Sequence, residues 1–111
     1  MTTIDVLRYV TESGTVVVSE WLAGLRDKQA QARIAARFLR LAAGNFGDCK
    51  PLRDGIWEMR VDWGPGYRVY YAMVGKTCVL ILCGGDKRRQ AGDIEQAVAY
   101  WQDYQRRTRK T

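Results

Sequence analysis

Apolar residues recur along this chain at two different spacings, and the change from one to the other divides it. In residues 15–26, Val17, Val18, Trp21, Leu22 and Leu25 fall at helical spacing and give one apolar face, although the valine run at 16–18 favours a strand by propensity. Residues 28–43 are alanine-rich, with Ile34, Ala35, Phe38, Leu39 and Ala42 on one side and Arg33, Arg37 and Arg40 on the other. Gly44 suits a helix C-terminus there. The two segments predict a helical hairpin, preceded by a short strand over residues 4–10 with Ile4, Val6 and Tyr9 turned inward.

From Asp48 the spacing becomes two. Trp57, Met59, Val61 and Trp63 alternate with Glu58, Arg60 and Asp62; Gly64-Pro65-Gly66 then makes a turn, because neither residue type extends a strand well. A second run, Tyr67 to Val74, ends at a two-residue loop, Gly75-Lys76. Residues 77–83 are continuously apolar, which suits a central strand covered on both faces. After Gly84-Gly85 and a polar stretch, Ile94, Ala97, Val98, Trp101 and Tyr104 share one face of a final helix, with Asp93 as its N-cap and Gln96 as capping-box partner.

Those turns imply a register. Trp63 opposite Tyr67 places Asp62 against Arg68, Arg60 against Tyr70 and Glu58 against Ala72; Val74 opposite Thr77 places Arg68 against Cys83 and Tyr70 against Ile81. One sheet face then holds Trp57, Met59, Val61, Trp63, Val69, Tyr71, Met73, Leu80 and Leu82, to be covered by helices. The other presents Glu58, Arg60, Asp62, Arg68 and Tyr70 as a shallow basic surface, beside Asp86-Lys87-Arg88-Arg89. Mutual neutralisation of cross-strand charges explains such a face equally well, at about 0.2–1 kcal/mol per pair.

Composition narrows the chemistry. The 111 residues suffice for a single domain, and 47% apolar content is that of a globular protein. No apolar run is long enough to cross a bilayer and the N-terminus lacks a signal-peptide pattern, so a soluble, cytoplasmic protein is expected. Histidine is absent, which removes histidine general bases, the usual catalytic triads and nearly every zinc site. Cys49, Cys78 and Cys83 form no Cys-x-x-Cys pair, and Cys78 and Cys83, five apart in one strand, point to opposite faces; all three read as reduced thiols. Basic residues outnumber acidic ones 18 to 12, and 13 of the 18 are arginines. The excess is +2 over residues 1–44, +1 over 45–85 and +3 over 86–111. Such an arginine-rich excess suits a polyanionic partner, nucleic acid being the commonest, or else simply keeps a basic surface solvated.

Three blocks carry a resemblance: Gly44-Asn45-Phe46-Gly47-Asp48 through Lys50-Pro51-Leu52, Gly64-Pro65-Gly66-Tyr67-Arg68-Val69-Tyr70-Tyr71, and Leu82-Cys83-Gly84-Gly85-Asp86-Lys87. In this order and spacing the chain resembles the RelE/ParE superfamily of type II toxins, and within it the HigB-like addiction module killer proteins, from about residue 4 to residue 104. The resemblance implies an α+β fold: an N-terminal strand and helical hairpin packed on a curved, mainly antiparallel four-stranded sheet, then a C-terminal helix; from their basic, terminal sequence, residues 104–111 are expected to be a frayed tail. It implies a cognate antitoxin, usually of helix-turn-helix type, bound in a hetero-oligomer that also sits on operator DNA through the antitoxin. RelE-like members cleave messenger RNA on the ribosome, whereas ParE-like members poison DNA gyrase; an inactivated relative that only binds antitoxin is the third possibility.

The RNase chemistry needs the 2′-hydroxyl proton removed, charge stabilised on phosphorus and the 5′-oxygen protonated; arginines can stabilise the phosphorane through preorganised donors without a metal, and no cofactor is implied. The superfamily arginine of the Gly-Tyr-Arg block matches Arg68, and the basic residue after the last strand matches Lys87 or Arg88. The positions of the RelE sheet lysines hold Glu58 and Arg60, of which Arg60 keeps the charge and Glu58 departs from it, as a candidate general base. No tyrosine occurs in residues 90–94, where the RelE pattern has one; Tyr70 is the nearest aromatic, for stacking on a base or for packing. Lys50, Arg53 and Arg89 complete the expected RNA-binding set. The Arg33/Arg37/Arg40 stripe is expected to be a solvated helix face or a contact to ribosomal RNA.

Overall fold

A computed structural model of the chain describes residues 3–109. Its elements are β1 (Asp5–Arg8), α1 (Val17–Ala23), α2 (Lys28–Ala42), β2 (Cys49–Pro51), β3 (Ile56–Val61), β4 (Tyr67–Met73), β5 (Cys78–Asp86), a 3-10 turn (Lys87–Arg89) and α3 (Gln90–Thr108). The sheet has five strands in the order β1-β5-β4-β3-β2, antiparallel except for β1, which runs parallel to β5. The expected α+β order of elements is present, with one more strand than expected. The addition is β2, three residues that pair with β3 around Lys50 and Pro51 at the sheet edge.

Both sheet faces are covered. The helical hairpin seals one: Val18, Ala30, Ile34, Phe38 and Leu41 pack on Met59, Val61, Val69, Tyr71, Val79 and Ile81. The apolar stripe of α2 is therefore 30/34/38/41, with Leu39, expected inside, left 75% exposed. Asp27 caps α2 by accepting from the Gln29 and Ala30 amides, and Gly44, at φ 87°, closes it as Asn45 N–H reaches back to Arg40 O at 2.8 Å.

The opposite face, expected to lie open, is covered by α3, whose Ala97 and Val98 sit over Ile56, Tyr70, Ala72, Leu80 and Leu82. Two shifts of register separate the observed sheet from the expected one. Val61, not Trp63, pairs with Tyr67, so residues 62–66 form the loop and Arg60 opposes Arg68 while Glu58 opposes Tyr70. A slip of two keeps every residue of β3 and β4 on its expected face. Between β4 and β5 the offset is one residue, with Tyr71 opposite Ile81 and a bulge beyond it that sets Tyr70 opposite Cys83. An odd shift reverses faces, so Leu80 and Leu82 move to the α3 side and Val79 and Ile81 take their place.

α3 begins at Gln90 rather than at Asp93, because the 3-10 turn ahead of it is capped by Asp86, which accepts from the Arg88 amide. It also continues to Thr108, past the residues expected to fray: Asp103 pairs with Arg106 and Arg107, and Arg107 Nη2 donates to Val10 O. Lys110 and Thr111 lie outside the described residues. All three cysteines are free, and burial pushes the Cys83 thiol up to about 12. Among the described residues no helix is long and apolar enough to cross a membrane.

Candidate nucleic-acid interface

Alternation puts Glu58 of β3 and Arg68 and Tyr70 of β4 on the α3 side of the sheet, and the start of α3 then closes over them. Glu58 is fully buried. Its Oε1 accepts from Gln90 Nε2 at 2.7 Å and lies 3.5 Å from Arg68 Nε; its Oε2 is 4.0 Å from Arg60 Nε. A buried carboxylate needs cations and donors around it: here Gln90 donates to Oε1 and Arg68 lies beside it, while Oε2 has no hydrogen-bond partner and meets only Arg60 at the edge of ion-pair range. Arg60 is shared, since its Nη2 also meets Asp48 Oδ1 at 2.9 Å. Sequence reasoning offered Glu58 as a general base; at 1% side-chain exposure its carboxylate is out of reach of a substrate, and what it contacts is Arg68.

For Tyr70, burial fits the packing alternative. Its ring is wholly buried, so it cannot stack on a base, and burial together with the charges of Glu58 and Asp93 raises the pKa of its hydroxyl. Asp93, in the first turn of α3, has its own pKa raised by burial, against the opposing pull of Arg89. Its carboxylate lies directly over Gly85, where any Cβ would overlap it, while on the other side of the strand the Trp21 indole occupies the space a Cβ of Gly84 would need. The Gly-Gly pair at the end of β5 is thus required by close approach from opposite faces.

The open part of the site is a cleft of about 460 Å³ lined by Asp48, Arg60, Asp62, Arg68, Lys87 and the Gly64-Pro65-Gly66 loop. Gly64 and Gly66 take φ of 57° and 85°, conformations that let this loop turn back on itself. Gly66 O accepts from the Lys87 amide at 2.9 Å, which fixes the chain leaving β5 against the β3–β4 loop and sets Lys87 beside Arg68. Arg68, Arg60 and Lys87 are therefore brought together. The remaining expected residues are not. Arg88 is 82% exposed and folds back on Asp86, Nη2 to Oδ2 3.1 Å. Arg88 and Arg89 line a different cavity, of about 390 Å³, beside Asp93 and Tyr100. Arg53 is paired with Asp54 and Glu95, and Lys50 lies exposed on the edge strand, outside the cleft lining.

Sequence reasoning missed Gln90 and Asp48 as partners of the site, and it misread Arg37. That side chain is no solvated stripe: Nη1 donates to Arg60 O at 2.6 Å and Nη2 to Phe46 O at 3.1 Å, tying α2 to β3 directly behind the cleft. A polar residue on an alternating strand carries no mark of what a distant helix will lay over it, so only the excess of arginine hinted at these roles.

A family model described as "Phage derived protein Gp49-like (DUF891)" matches residues 20–98. The chain is also similar to an uncharacterized protein of Haemophilus influenzae, 49% identical over 83 residues, which span 75% of this chain and 84% of that protein. The matched region runs from α1 into α3 and contains every residue of the cleft.

Proposed function

Because the chain belongs to the phage-derived Gp49-like family, a toxin-like family of RelE type associated with toxin–antitoxin systems and so with an antitoxin partner, we propose that it is a type II toxin of the HigB-like branch that cleaves messenger RNA on the ribosome. The observation carrying this reading is the convergence of Arg60, Arg68 and Lys87 on one open cleft. Three cations converging on a shallow concavity suit the charge that builds on phosphorus as a 2′-hydroxyl attacks.

In this mechanism Arg68 and Lys87 bind the scissile phosphate and stabilise the phosphorane, and Lys87 protonates the departing 5′-oxygen. Arg60 adds charge from the cleft wall. Asp62, the carboxylate of the cleft that makes no ion pair among the described residues, takes the 2′-hydroxyl proton. Glu58 touches no substrate; it is a positioning residue that holds Arg68 from beneath. The site is open and holds few groups to align RNA, so the ribosome supplies the alignment and free RNA is cut poorly.

Pulse-labelling after induction in cells without antitoxin tests the reading. Amino-acid incorporation should collapse before thymidine incorporation, and Arg68→Ala should restore growth. Earlier failure of thymidine incorporation, indifferent to Arg68→Ala, would select gyrase poisoning instead; induction without growth arrest would indicate an inactive relative.

A further inference from the structure

A second concavity adjoins the cleft. It runs along α2 where that helix meets Val61 at the end of β3, has a volume of about 530 Å³, and shares Asp62 with the cleft. Ala32 and Ala36 leave its floor open, while Arg33, Arg37 and Arg40 line it. Among the described residues none of these three arginines forms an ion pair with a carboxylate, in contrast to Arg53, Arg60, Arg88, Arg106 and Arg107. Two are held in place by other means: Arg37 by the Arg60 and Phe46 carbonyls, and Arg33 by lying 3.8 Å above the Trp63 ring. Trp63 is itself anchored through Nε1 to Asp27 Oδ2 at 3.0 Å and directly precedes the Gly64-Pro65-Gly66 turn that walls the cleft.

We propose that this groove carries the RNA strand onward from the cleft, binding the phosphates that flank the scissile one. The inference rests on the cleft's assignment to a phosphodiester. A strand held there must leave it, and the groove opens from it across Asp62. Guanidinium groups free of a close carboxylate pair match phosphates in a planar, two-point fashion, and Arg33 and Arg37 are already oriented. Arg33 and Arg40 are separated by about 10 Å along the helix axis, at about 1.5 Å per residue, which is room for more than one phosphate. Single-stranded nucleic acid is characteristically bound by such a charged groove tracking its backbone.

The test is binding, separate from cleavage. Fluorescent 2′-O-methyl RNAs, a dinucleotide and an octanucleotide, are titrated at a series of salt concentrations against wild type, Arg68→Ala and the double variant Arg33→Ala/Arg40→Ala. Arg37 is left intact because it holds the backbone. The double variant should melt cooperatively like wild type and bind the dinucleotide equally well. Its affinity for the octanucleotide should fall about tenfold at low salt, and its log–log salt slope should drop by about 1.4, or about 0.7 per lost phosphate contact. An unchanged slope, or equal weakening of both RNAs, overturns the inference; an unchanged slope with weakened antitoxin binding gives the groove to a protein instead. Arg68→Ala should weaken both RNAs. If it weakens neither while the double variant still loses the octanucleotide, the groove stands and the cleft's assignment falls.

Discussion

Gln90, the first residue of α3, donates its side-chain amide to Glu58 Oε1 at 2.7 Å and so ties the last helix to a carboxylate buried in the middle of the sheet. The same oxygen faces Arg68 Nε at 3.5 Å, so the cation that reaches the cleft is backed by an anion that does not. Glu58→Gln keeps the shape and removes the charge. It should fold, yet lower toxicity and ribosome-dependent cleavage by about 10–100-fold, because Arg68 loses its counter-charge. The loss should appear in kcat more than in KM if Arg68 acts in the transition state. Glu58→Ala also strands Gln90 and should cost about 1–3 kcal/mol in urea unfolding. A fully active Glu58→Gln protein would remove the positioning role.

Gly84 and Gly85 make a second, purely structural prediction. A methyl group at Gly84 meets the Trp21 indole, a bulky ring wedged against Tyr67, with centroids 6.2 Å apart; a methyl at Gly85 meets the end of one Asp93 side chain. Gly84→Ala should therefore destabilise more, by about 1–3 kcal/mol, the usual range for overpacking. Combining it with Trp21→Ala should recover less than the full loss, since the indole also packs on the core. Gly85→Ala should be the milder change, and Asp93→Ala should relieve it. Thermal melts of the four single variants and two doubles measure the couplings.

The course of the helices was legible because burial follows their periodicity: α2 and α3 lie within a few residues of their expected positions, and Ala97, Val98 and Trp101 face the sheet as expected. Strand faces in β3 and β4 were legible for the same reason. Pairing was not. The loop between β3 and β4 is longer than its Gly-Pro-Gly core suggests, and the bulge opposite Tyr70 adds a residue to β5 that no local pattern marks. The candidate site was half legible. Arg60, Arg68 and Lys87 share one cleft, but whether Glu58 and Tyr70 face water or protein was decided by α3, which starts 32 residues after Glu58 and 20 after Tyr70.

The far end of α3 yields a pH prediction. Asp103 accepts from the Tyr9 hydroxyl at 2.5 Å and pairs with Arg107, and these partners lower its pKa below the usual carboxylate value. A carboxylate with a depressed folded pKa contributes stability above its unfolded pKa, about 3.9, and loses it as pH falls through the folded value. Asp103→Asn should consequently melt below wild type at neutral pH, and the gap should close under acid conditions. A gap of constant size across that range would show that the Tyr9 contact is held by packing, the Tyr100 ring 4.7 Å away being its neighbour, and not by charge.

Asp62 and Arg68 should separate by the parameter each controls. Asp62 is exposed at the junction of cleft and groove, and its replacement by Asn changes neither shape nor any ion pair among the described residues. A general base is worth about 10²–10⁴-fold in rate, so under the proposed mechanism Asp62→Asn should lower single-turnover cleavage on programmed ribosomes by that order while RNA and ribosome binding hold or strengthen slightly from the lost negative charge. Arg68→Ala should depress both, because a phosphate ligand acts before and during the reaction. If Asp62→Asn cleaves at the wild-type rate, the proton goes to a group outside this chain, and the ribosome or the RNA itself must supply the base.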